Sequence, residues 1–204
     1  MITIVDYSLG NLGSLSNMIR RVGGECRISS GAEDIDTAEC LLLPGVGSFD
    51  EAVRNLQERG YFGLLQQKAL EDGIPVLGIC LGMQLMTKGS EEGNSPGLGL
   101  VDAEARRIRP GSDKALKVPH MGWNSLSVQK PSQLFSADEE QRFYFVHSYS
   151  VSCANQDDVL ATTRYGTEFV SAFERATIVG LQFHPEKSHR YGMNFFSRFL
   201  GMVS

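Results

Sequence analysis

No run of apolar residues in this 204-residue chain is long enough to cross a bilayer. The longest, at 2–5, 41–43 and 74–80, fall far short of the ~20 residues that a membrane-spanning helix requires. The first residues contain no basic segment, long apolar stretch or small-residue cleavage site, so a cytoplasmic protein is expected. Cysteine is scarce and scattered: Cys26, Cys40, Cys80 and Cys153 form no C-x-x-C pair, which disfavours both a disulfide framework and a structural zinc site. Basic charge is in deficit, with 19 Lys and Arg against 24 Asp and Glu for a net charge of −5. That sign argues against binding a phosphate backbone as the main activity. Internal repeats, low-complexity tracts and linker-like stretches are missing too, so residues 1–204 are expected to form one domain.

What remains is an ordinary globular composition, 42% hydrophobic and 21% charged, able to build a core. The first half alternates short apolar runs with helical periodicity, the pattern of an α/β fold with a parallel sheet and helices on its faces. Ile2, Ile4 and Val5 make the first strand candidate. Leu12, Leu15, Met18, Ile19 and Val22 recur at helical spacing until Gly23-Gly24 stops them. A strand at 41–43 enters the glycine-rich turn Pro44-Gly45-Val46-Gly47, and Ser48 with Glu51 forms a capping box for a helix through Leu56. Another helix ends near Gly73, and residues 74–79 make a third buried strand running into Cys80. From about residue 98 the pattern becomes strand-rich, with candidates at 98–108, 126–129, 143–147, 159–163, 168–173 and 178–183, and a closing helix near 191–200. Segments 89–99 and 131–141 read as surface loops.

The strongest chemical signal is Gly78-Ile79-Cys80-Leu81-Gly82. Glycines two residues before and two after a nucleophile let a strand turn sharply into a helix and force the intervening side chain outward. An amphipathic segment after the turn would put the Cys80 thiol at a helix N-terminus. A thiol nucleophile needs a base, and among His120, His147, His184 and His189 the best placed is His184, at the end of the apolar run 178–183. Alternation along that strand end would put Glu186 on the same side, where its carboxylate can fix the imidazole tautomer. Acyl transfer also requires oxyanion donors. The backbone amide of Leu81 supplies one, and the turn at Val46 and Gly47 should supply the other, its glycines permitting a peptide flip. That turn lacks the Lys-Ser/Thr of a phosphate-binding loop.

Gly-Ile-Cys-Leu-Gly-Met-Gln at 78–84 and Phe-His-Pro-Glu at 183–186 resemble the class I glutamine amidotransferases, across the whole chain. The resemblance implies a flavodoxin-like, mostly parallel central sheet with flanking helices and additional antiparallel strands in the C-terminal half. It also implies hydrolysis of glutamine to glutamate and ammonia by Cys80, His184 and Glu186 through a glutamyl thioester. Gln84 matches a glutamine-binding position, and Glu92, Ser148 and Tyr149 are implied contacts for the amino-acid end of the substrate. Four more segments narrow the likeness: Asp6-Tyr7 with Gly10-Asn11, Pro44 to Phe49, Val118-Pro-His-Met-Gly-Trp-Asn124, and Tyr144-Phe-Val-His-Ser-Tyr149. They look like the family of glutaminase subunits of imidazole glycerol phosphate synthase, in histidine biosynthesis.

That likeness implies a heterodimer with a (β/α)8-barrel cyclase subunit, docked near Asn11, Trp123, Tyr144 and Lys187, and no cofactor, metal, nucleic acid or membrane. Ser8 and Gly89 depart from the usual family pattern, which bears on loop shape. An amidotransferase subunit of another biosynthetic pathway, a non-catalytic module on the same scaffold and a cysteine hydrolase without ammonia transfer stand as alternatives.

Overall fold

The computed structural model describes residues 1–111, 116–136 and 139–203. Four short strands, β1 (Ile2–Val5), β2 (Cys26–Ser29), β3 (Leu41–Leu43) and β4 (Val76–Ile79), line up in parallel in the order β2-β1-β3-β4. Strands β1, β3 and β4 are apolar apart from Thr3 because both their faces are covered, whereas the edge strand β2, Cys-Arg-Ile-Ser, is half polar and partly exposed. Val5, Leu41 and Leu43 point to one side, against α3 (Phe49–Glu58) and α4 (Tyr61–Leu70). Ile2, Ile4 and Leu42 point to the other, against α1 (Leu12–Arg21) and α6 (His189–Val203).

The chain leaves β1 toward β2 on one side and returns to β3 on the other, so the strand order reverses at β1. Open α/β sheets place their sites outside the carboxyl ends of strands at such a reversal. Of the expected Ser48–Glu51 capping box the serine half forms, Ser48 capping α3 by accepting from the Glu51 amide at 3.4 Å, and Asn11, not foreseen as a cap, caps α1 by accepting from the Ser14 amide.

Beyond a five-residue helix, α5 (Leu81–Leu85), the chain makes β5 (Ala103–Arg107), β6 (His120–Ser125), β7 (Ser127–Val128), β8 (Arg142–His147), β9 (Tyr149–Cys153), β10 (Val159–Tyr165), β11 (Thr167–Arg175) and β12 (Ile178–Leu181). Strand β12 lies parallel to β4 and antiparallel to β11, joining the two halves of the sheet; β6 and β8 pair separately as a two-stranded ribbon. The C-terminal antiparallel extension is therefore present. A buried aromatic group ties the ribbon to the sheet, with Phe143 and Phe183 stacked at 4.1 Å, Phe135 against both and Phe195 against Phe135.

Several boundaries differ from the sequence reading. The strand expected at 98–108 begins only at Ala103, because residues 98–101 fold back onto Leu85, Met86 and Thr87 through backbone hydrogen bonds. The strand at 126–129 shrinks to two residues. Strand β2, helix α2 (Ala32–Asp36) and strands β6 and β9 had no strong periodic signal and were missed. The segment after Cys80 is not amphipathic: all five residues of α5 are buried. Residues 137–138 of the expected 131–141 loop lie outside the described residues.

Ser8 adopts φ 71°, in the region that favours glycine, and its hydroxyl accepts from Arg59 Nη2 at 2.6 Å.

Candidate active site

Cys80 leaves β4 with φ 55° and ψ −107°, a conformation rare for a side-chain-bearing residue and costing on the order of 1–3 kcal/mol. The flanking glycines are required by close approach. A Cβ on Gly82 would lie 1.8 Å from the Leu43 carbonyl oxygen, and one on Gly78 would meet Met86 Sδ at 2.7 Å and the Gly82 carbonyl group at 2.8 Å. The strand-to-helix elbow can form only with both positions bare.

Register supplies the partner. Ile79 pairs with Leu181 across β4 and β12, and the Cys80 amide donates to the Leu181 carbonyl at 2.7 Å, so both strands end beside each other. The chain beyond β12 carries His184, whose amide donates to the Tyr144 carbonyl at 2.9 Å. The strand itself ends at Leu181, so His184 and Glu186 do not share a strand face as alternation suggested. A one-turn 3-10 helix, Pro185–Lys187, folds the carboxylate back instead, placing Glu186 Oε1 2.8 Å from His184 Nδ1. Ser188 locks this turn, donating to the His184 carbonyl at 2.6 Å and accepting from the Tyr144 amide at 3.0 Å.

The side chains of His184 and Glu186 are 2% and 3% exposed. Burial alone would push the imidazole down. The Cys80 sulfur and the Glu186 carboxylate, which both favour the charged form, outweigh burial and raise it to about 9. His184 Nε2 has no hydrogen-bond partner among the described residues, leaving that nitrogen for the proton exchanges of a reaction.

Cys80 opens into a cavity of about 540 Å³, whose wall includes Val46, Gly47, Leu81, Gln84, Glu92, Ser148 and Tyr149. Every substrate and oxyanion position expected from the sequence therefore lines the space in front of the thiol. Gly47 sits at φ 117°, in the region that favours glycine. The turn is held against the elbow by Tyr7, whose hydroxyl donates to the Pro44 carbonyl, and a Cβ on Gly45 would meet Leu81 Cβ at 2.8 Å. Burial, and secondarily the Cys80 charge, push the Tyr7 hydroxyl strongly upward, so it stays a donor. Glu92 accepts from the Phe49 amide at 3.1 Å, bridging the cavity rim to the start of α3.

Some participants were not singled out from the sequence. Gln182, the one polar residue of the apolar run 178–183, donates to Cys80 Sγ at 3.7 Å and accepts from Gln84 Nε2 at 3.1 Å. Gln84 Nε2 also reaches the Tyr149 carbonyl at 3.2 Å. That carbonyl lies 2.8 Å from His147 Nδ1, which must therefore carry the proton, leaving Nε2 to accept from His120 Nδ1 at 3.0 Å. Burial pushes His147 down to about 3 and His120 down to about 4, so the pair stays neutral and these tautomers are fixed. A polar residue inside an apolar run was the available signal for Gln182; the pairing of His120 with His147 depends on the register of β6 with β8.

At the edge of this end of the molecule, Trp123 is 38% exposed and Met121 61% exposed. The Trp123 ring stacks on His189 at 5.7 Å and meets Tyr144 edge-on at 6.3 Å, and Lys187 Nζ lies 5.9 Å from the Tyr144 ring centre. Three of the four expected interface residues are thus clustered. Asn11 stands apart at the start of α1, the helix that packs on the 185–187 turn.

The description "Glutamine amidotransferase class-I" matches residues 3–202. The chain is 44% identical over 204 residues to "Imidazole glycerol phosphate synthase subunit HisH 2" of Pseudomonas aeruginosa, covering 100% of both chains. It is 45% identical over 201 residues to the subunit of the same name from Methanococcus maripaludis, covering 98% of each. In fold it resembles PurLQS from Thermotoga maritima, with a TM-score of 0.75 at 20% identity over 100% of this chain and 98% of the other. With the elbow cysteine, the buried histidine–glutamate pair and the matched fold together, the chain belongs to the class-I glutamine amidotransferases and, within them, to the HisH subunits of imidazole glycerol phosphate synthase.

Proposed function

We propose that this chain is the glutaminase of an imidazole glycerol phosphate synthase, with Cys80 as nucleophile, His184 as proton carrier and Glu186 as the group that orients it. The observation that carries the reading is the buried 2.8 Å His184–Glu186 pair beside a thiol on a strained elbow that opens into the cavity. Below about pH 9 His184 holds the proton given up by Cys80, and the Cys80 sulfur attacks the side-chain carbonyl carbon of glutamine. The carbonyl electrons move onto oxygen, which accepts from the Leu81 amide and from an amide of the Val46–Gly47 turn. The first amides of a helix have no intrahelical acceptor, which leaves Leu81 suited to this part. Collapse breaks the C–N bond, His184 protonates the departing nitrogen, and ammonia leaves behind a glutamyl thioester. Water, deprotonated by His184, then frees glutamate and restores the thiol.

A peptide flip at Gly47 would supply the second donor on demand. A proline at Gly47 would not isolate this flip, because proline holds φ near −65° and Gly47 sits at 117°.

Trp123, Tyr144 and Lys187 form the docking face for a (β/α)8-barrel cyclase subunit in a cytoplasmic heterodimer, with Asn11 at its margin. A partly exposed tryptophan amid aromatic and cationic side chains supports that reading. Residues 1–204 act as one amidotransferase domain, and among the described residues no helix is long and apolar enough to cross a membrane.

The test is glutamate release by the purified chain, alone and with the barrel subunit plus that subunit's own ligand, beside a Cys80→Ser control. Ligand-dependent stimulation that the control lacks is the expected outcome. High activity without any partner effect would refute the pathway while keeping the nucleophile.

A further inference from the structure

Arg107 is the one cationic side chain among the described residues lining the cavity in front of Cys80, and Glu92 is the one carboxylate. Arg107 ends β5 directly opposite Tyr149 of β9. Its Nη1 lies 3.5 Å from the Tyr149 hydroxyl and its guanidinium carbon 5.9 Å from the Tyr149 ring centre, while its amide donates to Glu91 Oε2 at 2.8 Å. The neighbouring arginines are already paired, Arg106 with Glu104 at 3.1 Å and Arg109 with Glu91 at 3.8 Å. Arg107 makes no ion pair among the described residues, so its guanidinium stands at the cavity wall with its charge uncommitted.

An amino-acid substrate brings one ammonium and one carboxylate on its α-carbon. A wall with one anion and one cation matches that pair in only one way without placing like charges together: ammonium toward Glu92, carboxylate toward Arg107. A guanidinium is also the group whose fork of donors fits a carboxylate two-on-two. Building on the proposed glutaminase reading, we infer that Arg107 is a specificity-determining residue that receives the α-carboxylate of glutamine, with Tyr149 holding its guanidinium in place. The enzyme then selects free glutamine over glutamine whose α-carboxyl is blocked, including a glutamine followed by a peptide bond.

The test compares two affinity labels on the purified full chain: 6-diazo-5-oxo-L-norleucine, whose diazoketone alkylates the thiol with loss of nitrogen, and its α-methyl ester, which lacks the carboxylate. Iodoacetamide labelling of Cys80 reports the reactivity of the thiol independently of substrate recognition. The unmodified chain is expected to react with the free acid at least tenfold more efficiently than with the ester. Arg107→Gln should remove about tenfold of that preference through weaker binding of the acid, and Arg107→Lys should keep part of it. The ester and iodoacetamide rates should stay within about twofold across all three proteins. An acid-to-ester preference unchanged in Arg107→Gln, with the unmodified chain showing that preference, overturns the role of Arg107 alone. No preference for the acid in the unmodified chain, at an iodoacetamide rate showing a reactive Cys80, overturns the glutamine reading as well.

Discussion

Replacing Glu186 by Gln removes a charge from the catalytic group while keeping its shape. The carboxylate meets His184 through a single 2.8 Å hydrogen bond, with both side chains 3% exposed or less, so water cannot substitute for it. A hydrogen bond to a charged group contributes about 1.5–3 kcal/mol, and at 1.36 kcal/mol per factor of ten the upper value is roughly a hundredfold in rate. A second loss follows if the amide nitrogen turns toward Nδ1. The imidazole must then accept there and carry its proton on Nε2, the wrong tautomer for taking a proton from Cys80, and an equivalent change in a serine triad costs about 10⁴-fold. The expected fall in glutamate release is therefore between about 10²- and 10⁴-fold. Loss of the carboxylate also removes one of the influences holding His184 at about 9, so the His184-dependent limb of the pH profile for Cys80 alkylation should move to lower pH. A loss of less than about threefold with an unmoved profile, in a variant whose unfolding transition is native-like, would refute the orienting role of Glu186.

Gly82→Ala should cost about 3 kcal/mol or more, seen as a lower denaturation midpoint or failure to fold, because its Cβ would lie 1.8 Å from a backbone oxygen that cannot move without disrupting β3. Phe143→Ala, which empties the centre of the aromatic group joining the β6–β8 ribbon to the sheet, should lose about 3–5 kcal/mol in urea unfolding. The histidines set opposite pH limbs. His120 and His147 protonate near 6.5 when unfolded but only at about 4 and about 3 when folded, so their contribution is intact above pH 6.5 and is lost as pH falls toward those values. His184, raised to about 9, contributes fully below pH 6.5 and loses that contribution as pH rises through 9. Urea midpoints at pH 5, 6.5 and 9 should fall on both sides, and His184→Asn should flatten the alkaline side.

The chain announces its chemistry where the constraint is local. The glycines around Cys80 are written into five consecutive residues, because one tight turn needs them all, and the Ser48–Glu51 cap is legible because it closes within four. The alternation of apolar runs and helical periodicity likewise foretold the parallel sheet at β1, β3 and β4, whose residues are apolar apart from Thr3 and Gly78, but not at the half-polar edge strand β2. The His184–Glu186 pair was foreseen for the wrong geometric reason: two residues on one side of a strand proved to be two residues joined across a 3-10 turn.

Long-range pairing settled the rest. The thiol and imidazole meet, 104 positions apart in sequence, only because β4 and β12 adopt the register that pairs Ile79 with Leu181. Gln182 reaches the sulfur by the same register, His120 finds His147 through β6 and β8, and Arg107 faces the cavity because it lies opposite Tyr149. Turns and periodicity are decided by neighbours a few bonds away. The cavity is decided by which strands pair, and that depends on burying both faces of the sheet at once, a condition that the whole chain satisfies together and no single segment contains.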